Sequence, residues 1–393
     1  MDSEKYIGKY VFDWKKLQPC DIVLSRESLS MDALLNPTRL WDVAKSGAIR
    51  LGSKHYSHAM LYVNGSILHA HPPMVFAVNP QRLSAAHADD YVCLRFEGLT
   101  VDQKRKIEEY ARSQVGALYS VREAAKTAVM KSGGERDVSG VEFCSRLVAE
   151  AYEHAGVSLV SNCSYCAPGD FLSVKSLTNL GACTRLAGEL DIKILESPNF
   201  VLQSQERTFK LLEGVRDMAK KDNFRISTIN SVFDYVWQFP HRDSDVCRLL
   251  NESRYLETWK DDAAAHGYRY EPFAMLKIRV CQPGDFRNEV VSLFDCAGRY
   301  GDELLKLDLI KCGLKTIDAI ADLYRNMLND MQRRVSVLVV LYMSQPGVGP
   351  LSTLRAICTH LVEGTYPQYY SLPVRDQTAK LKSDWEQQIG MSD

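Results

Sequence analysis

Three side chains of this chain can together perform nucleophilic acyl chemistry: the thiol of Cys144 and the imidazoles of His58 and His69. A cysteine attacks as its thiolate, so it needs a base to take its proton and a third group to hold that base in place. The stretch Glu142-Phe-Cys-Ser-Arg-Leu-Val-Ala-Glu-Ala-Tyr152 puts Cys144 where a helix begins. Leu147, Val148, Ala151, Tyr152 and Ala155 recur behind it at helical spacing, and Gly156 supplies a stop. Ser139 and Glu142 fit a capping box, which would set Cys144 inside the first turns rather than at the tip. The positive partial charge of a helix start lowers a thiol's pKa and favours the thiolate. A free cysteine is most often a small buried hydrophobe, so the chemistry depends on whether the chain supplies a base.

The elements that must supply it come earlier. Tyr56-Ser-His-Ala-Met-Leu-Tyr-Val63 and Ser66-Ile-Leu-His-Ala70 are short apolar runs divided by Asn64-Gly65, a strong hairpin signal. With Asn64-Gly65 as the loop, Val63 pairs with Ser66 and His58 falls opposite His71. His69 is then a diagonal neighbour of His58 on the same face, and a bulge would bring it closer. Register alone does not choose between His69 and His71 as the partner of His58. A lone strand histidine is usually a satisfied core residue; a second histidine in the paired strand and a cysteine at a helix start change that reading. The expected chemistry is thiolate attack on a carbonyl, an acyl-enzyme thioester, then hydrolysis or transfer.

Ile22-Val-Leu24, Val75 to Val78 and Tyr91 to Arg95 read as further strands, and residues 40–45 as a short helix. Thr100-Val-Asp-Gln103 fits a capping box opening a helix to about Val115, with Ile107, Tyr110, Ala111 and Gln114 on one face and Gly116 at its end. Residues 131–140 read as a loop. Cys163-Ser-Tyr-Cys166 is a lone CxxC in another loop; without a second pair it does not make a zinc site, and no metal or cofactor is expected.

These pieces resemble the circularly permuted branch of the NlpC-type papain-like superfamily, the YiiX/YebB-like cysteine peptidases and amidases, in which the histidine precedes the cysteine. The matching segments are Leu17 to Leu24, Tyr56 to Val63, Ile67-Leu-His-Ala70, Gly116-Ala-Leu-Tyr119, Phe143-Cys-Ser145 and Ala167 to Leu172. The resemblance covers roughly residues 15–185 and implies Cys144 as nucleophile, His58 as base and His69 as orienter. It favours His69 over His71. Tyr56 and Tyr119, each within a matching segment, are the candidates for substrate binding. Cys20 stands where the family usually has glycine, and His69 where many permuted relatives have a carboxylate. The implied activity is hydrolysis of an amide or peptide-like bond. The alternatives are a lipid acyltransferase or phospholipase of the lecithin:retinol acyltransferase-like type, and an inactive binding module. The Asn-Cys-Glu-His nucleophile motif of many such lipid enzymes is absent.

The fold expected is α+β: a papain-like domain over residues 1–192 with a small antiparallel sheet, then a mainly helical domain over 193–393, where composition shifts near Asp191. Arg207 to Ala219, Ile229 to Trp237, Gly301 to Leu309 and Thr316 to Met331 read as helices, Val335 to Met343 as a buried strand or helix, and Gln345 to Pro350 as a loop. This half carries no recognisable chemistry and is assigned to partner binding, substrate selection or regulation. His241, His266 and His360 have no partner at ligand spacing. At 393 residues, with 46% hydrophobic and 25% charged residues, the composition is that of a globular protein. A formal charge of −1 gives no bulk field for nucleic acid. The polar start lacks a signal peptide, and no run reaches the 18 apolar residues of a membrane span. Eleven cysteines without repeating spacing suggest reduced thiols in a cytoplasmic setting, with export by a route lacking a cleaved signal left open.

Overall fold

The computed structural model describes residues 9–26, 56–119, 141–281, 283–310, 313–343, 345, 347–365 and 373–390. The helix expected over 40–45, Ser139 and the loop at 131–140 lie outside them. The strands are β1 (Tyr10–Phe12), β2 (Ile22–Ser25), β3 (His58–Val63), β4 (Ser66–His71), β5 (Met74–Val78), β6 (Ser84–Ala85), β7 (Tyr91–Phe96), β8 (Leu118–Tyr119), β9 (Val141–Glu142), β10 (Leu177–Ala182) and β11 (Thr184–Leu186). Among the described residues the larger sheet has the order β10-β7-β2-β3-β4-β5-β8-β9, antiparallel except for the β8–β9 edge. A second sheet has the order β11-β1-β6. The chain is α+β, with its sheets in the N-terminal part and helices filling the C-terminal part.

β2 and β3 are buried along their whole length, as continuous apolar runs in the middle of a covered sheet should be. The helices α1 (Val101–Ser113) and α2 (Cys144–His154) pack on each other, and α2 packs on β3 and β4. Thr100 caps α1 through the expected capping box. Alternation along the strands sends Ala59, Leu61, Val63 and Leu68 into one core with Ile107 and Ala111 of α1 and Val148, Ala151 and Tyr152 of α2. The Tyr152 hydroxyl donates to the carbonyl of Cys20 at 2.5 Å, tying the far end of α2 to the turn before β2.

Contacts divide the chain into units of residues 1–232 and 233–393, beyond the composition shift near Asp191. After α3 (Glu189–Glu196), helix α4 (Phe200–Ala219) belongs to the first unit. Its Arg216 donates to the Gly116 carbonyl at 2.7 Å, and its Gln205 to the carbonyl of Ala77. Helix α5 (Ile229–Gln238) spans the division. The second unit holds α6 (Asp243–Glu252), α7 (Thr258–Ala265), α8 (Pro272–Cys281), α9 (Pro283–Ile310), α10 (Lys315–Tyr342), α11 (Val348–Glu363) and α12 (Val374–Gln388). Phe286 and Phe294 of α9, Leu328 and Leu338 of α10, Leu354 of α11 and Trp385 of α12 share its core. The apolar run at 335–343 is the end of α10, and the loop expected through Pro350 stops sooner, because α11 starts at Val348 behind a left-handed Gly347. No helix among the described residues is long and apolar enough to cross a membrane.

Cys93 of β7 and Cys183 are brought within reach of a disulfide, with Cα atoms 6.1 Å apart. Their sequence separation of 90 hid a pairing that neighbouring strands create: β10 runs beside β7 and delivers Cys183 to it.

Candidate active site

The hairpin forms with the expected turn: Val63 pairs with Ser66, Tyr62 with Ile67 and Leu61 with Leu68. There the β3–β4 ladder stops, although both strands continue. Past that point His58 and His69 approach across the opening, and His58 Nε2 lies 2.8 Å from His69 Nδ1, a hydrogen bond between buried rings. His71, the partner that an unbroken register would give, instead turns its Nδ1–H to the Pro72 carbonyl at 3.1 Å. Its ring centroid is 6.0 Å from that of His58. Phe76, paired with His69 across β4 and β5, closes the cluster edge-on at 4.5 Å.

Cys144 is the first residue of α2, behind an extended Phe143 that makes no side-chain cap. Glu142 belongs to β9, so the expected capping box does not set the helix start, and Cys144 sits at the tip. The tip lies against β3. Against burial, the backbone N–H groups of Ala59, Ser145 and Cys144 and the Ser145 side chain favour the Cys144 thiolate. The ladder explains why the Ala59 N–H is available. Tyr62 N–H points to β2, donating to Asp21, and alternation turns the N–H of Ala59 toward the β4 side, where pairing has ended. The Ser145 hydroxyl is committed to the carbonyl of Cys166 at 2.5 Å and anchors the first turn to the following loop. Among the described residues no hydrogen bond joins Cys144 to His58.

Burial dominates the electrostatics. Cys144 is 7% exposed and His58 4%, and His69 is fully buried. Burial pushes the Cys144 thiol up, outweighing the N–H groups of the helix start that favour its thiolate, so the expected net lowering of its pKa does not appear. Burial, then His71, holds His58 down at about 3. Burial first, then His58 and His71, keeps His69 well below the usual range. The resting arrangement is therefore a neutral thiol beside neutral imidazoles. His58 has spent Nε2 on His69, which leaves Nδ1 as its basic nitrogen.

Tyr119, at the end of β8, packs on Ala70, Val75, Ala117 and Leu147, and its ring lies 6.5 Å from that of His71. Burial and the neighbouring Cys144 raise its hydroxyl's pKa. Tyr56 precedes β3, reaches the Asp89 carbonyl at 3.4 Å and carries the Arg26 guanidinium 5.6 Å from its ring centre. Of the two tyrosines, Tyr119 is the one beside the cysteine. Cys163 and Cys166 flank a single 3-10 turn, and among the described residues no group of three potential ligands could hold a metal. The Ala59 N–H is not legible in sequence, since a backbone donor leaves no mark in side-chain types. The only available signal is the histidine spacing, which an unbroken hairpin does not satisfy. Compared with protein-family models, curated proteins and solved structures, the chain matches none.

Proposed function

We propose that the chain is a cysteine hydrolase of papain-like chemistry, cleaving an amide or peptide-like bond, with the permuted NlpC-type arrangement that its motif order resembles. One observation carries this reading: a buried His58–His69 hydrogen bond of 2.8 Å on the two strands against which the helix beginning at Cys144 packs. In the reaction the Cys144 proton passes to Nδ1 of His58 as sulfur attacks the carbonyl carbon. His69 steadies the imidazolium through Nε2–H. The tetrahedral oxygen meets the helix-start N–H groups, of which that of Cys144 is the leading donor. Collapse expels the amine with the proton from His58, leaving a thioester. His58 then deprotonates a water that releases the acid and restores the thiol.

Intact-mass measurement during incubation with peptide amides, peptidoglycan stem fragments, acylated lysine and phospholipid vesicles tests the reading. The expected result is an acyl adduct on Cys144 and amine release from one of the amide substrates, both absent in Cys144→Ala. Turnover of phospholipid alone would favour the lipid-ester alternative. No adduct and no turnover across a broad amide panel would favour an inactive module.

A further inference from the structure

His71 is the third imidazole of the cluster and lies outside the His58–His69 hydrogen bond. Its ring centre is 6.0 Å from that of His58 and 5.9 Å from that of His69. A carbonyl oxygen can only accept, so the 3.1 Å contact with Pro72 places the His71 proton on Nδ1 and leaves Nε2 bare. The dyad has a matching polarity. If His58 is to accept at Nδ1, its Nε2–H donates to His69 Nδ1, and His69 keeps its proton on Nε2. That Nε2 is buried and has no hydrogen-bond partner. Among the described residues the dyad thus has no group that would absorb a further positive charge.

We propose that His71 is a positioning residue that gates the dyad by its charge: neutral, it lets His58 take the Cys144 proton; protonated, it opposes the imidazolium that His58 must become. The inference rests on the catalytic reading of Cys144 and His58. The titratable groups whose rings face His71 are His58 from β3, His69 from β4 and Tyr119 from β8, the last of which neighbours Cys144 of α2; β5 offers Met74 and Phe76. Among the described residues no carboxylate or ammonium pairs with any of the three imidazoles to neutralise a charge there. His71 is also the most exposed of the three, at 7%, and the Pro72 carbonyl supports its proton against the pull of burial. On this proposal the first acid protonation of the cluster falls on His71. Two unit charges about 6 Å apart in a protein interior repel strongly enough to suppress proton transfer roughly tenfold or more.

The test is the rate at which iodoacetamide alkylates Cys144 in the full chain between about pH 5 and pH 9, read by mass spectrometry, in the wild type and in His71→Gln. Glutamine keeps an acceptor near Nε2 and does not titrate. The expected result is a His71→Gln rate that increasingly exceeds the wild-type rate as the pH falls toward about 5 and differs from it less than about twofold near pH 8. Superimposable profiles on a selectively labelled Cys144 overturn the gate alone. Labelling no faster at Cys144 than at other thiols overturns the catalytic reading and the gate with it. A nuclear magnetic resonance titration of the wild-type histidines covers a variant that fails to fold. His71 should take its proton at higher pH than His58 and His69, and either of those titrating first overturns the gate.

Discussion

At the scale of residues, the site is a cluster of groups kept neutral by burial. His58, His69 and His71 all have pKa values below the free value, with burial the largest cause in each. This has a consequence for stability. In the unfolded chain each titrates near 6.5. Below that pH the unfolded state binds protons that the folded state refuses, so folding loses stability as pH falls. The contribution is complete above about 6.5 and declines from there toward the folded value, about 3 for His58. The melting temperature should therefore hold steady from about pH 8 to 7 and fall progressively below about 6.5. His58→Phe should flatten that acid slope. A melting temperature indifferent to pH between about 7 and 5 would contradict the neutral cluster.

At the scale of elements, the site exists because a hairpin comes apart. Pairing of β3 with β4 ends at Leu61 and Leu68, and α2 packs on both strands. Opposite, the β8 segment carrying Tyr119 is held by Gly116, which sits at φ +90° with its carbonyl bonded to Arg216. A β-carbon there would come 2.5 Å from Leu212 Cδ1 of α4, in a backbone region that L-residues rarely adopt. Gly116→Ala should cost about 1–3 kcal/mol in chemical denaturation. A change under about 0.5 kcal/mol would show that this junction is not strained. Much of the arrangement was legible in sequence. Asn64-Gly65 marked the turn and its register, Thr100 marked the start of α1, and the apolar spacing behind Cys144 marked α2. The choice of His69 over His71 was not legible from the residues, because local pairing rules assume that a ladder continues. Here it stops where a helix from much later in the chain packs against it. The start of α2 at an uncapped Phe143 escaped for the same reason: tertiary contacts, not a capping side chain, set it.

At the scale of the whole molecule, every group of the candidate site lies in the unit of residues 1–232. That unit includes α4, whose Leu211, Leu212 and Val215 are buried and whose Gln205 and Arg216 bond the main chain of Ala77 and Gly116. A protein of residues 1–232 should fold cooperatively and label at Cys144 within about threefold of the full chain. One ending at residue 192 should melt well below it, having lost that cover. Equal stability of the two pieces would show that α4 does not support the site. An activated nucleophile must stand apart from the other thiols of the chain. The most direct measurement is the alkylation rate of each cysteine by iodoacetamide in the intact protein near pH 7.5, resolved by mass spectrometry. Cys144 should react at least tenfold faster than every other thiol despite its burial, and His58→Ala should remove that advantage while leaving the melting temperature near that of the wild type. Cys144 reacting no faster than its neighbours, or keeping its advantage without His58, would contradict the assignment of nucleophile and base.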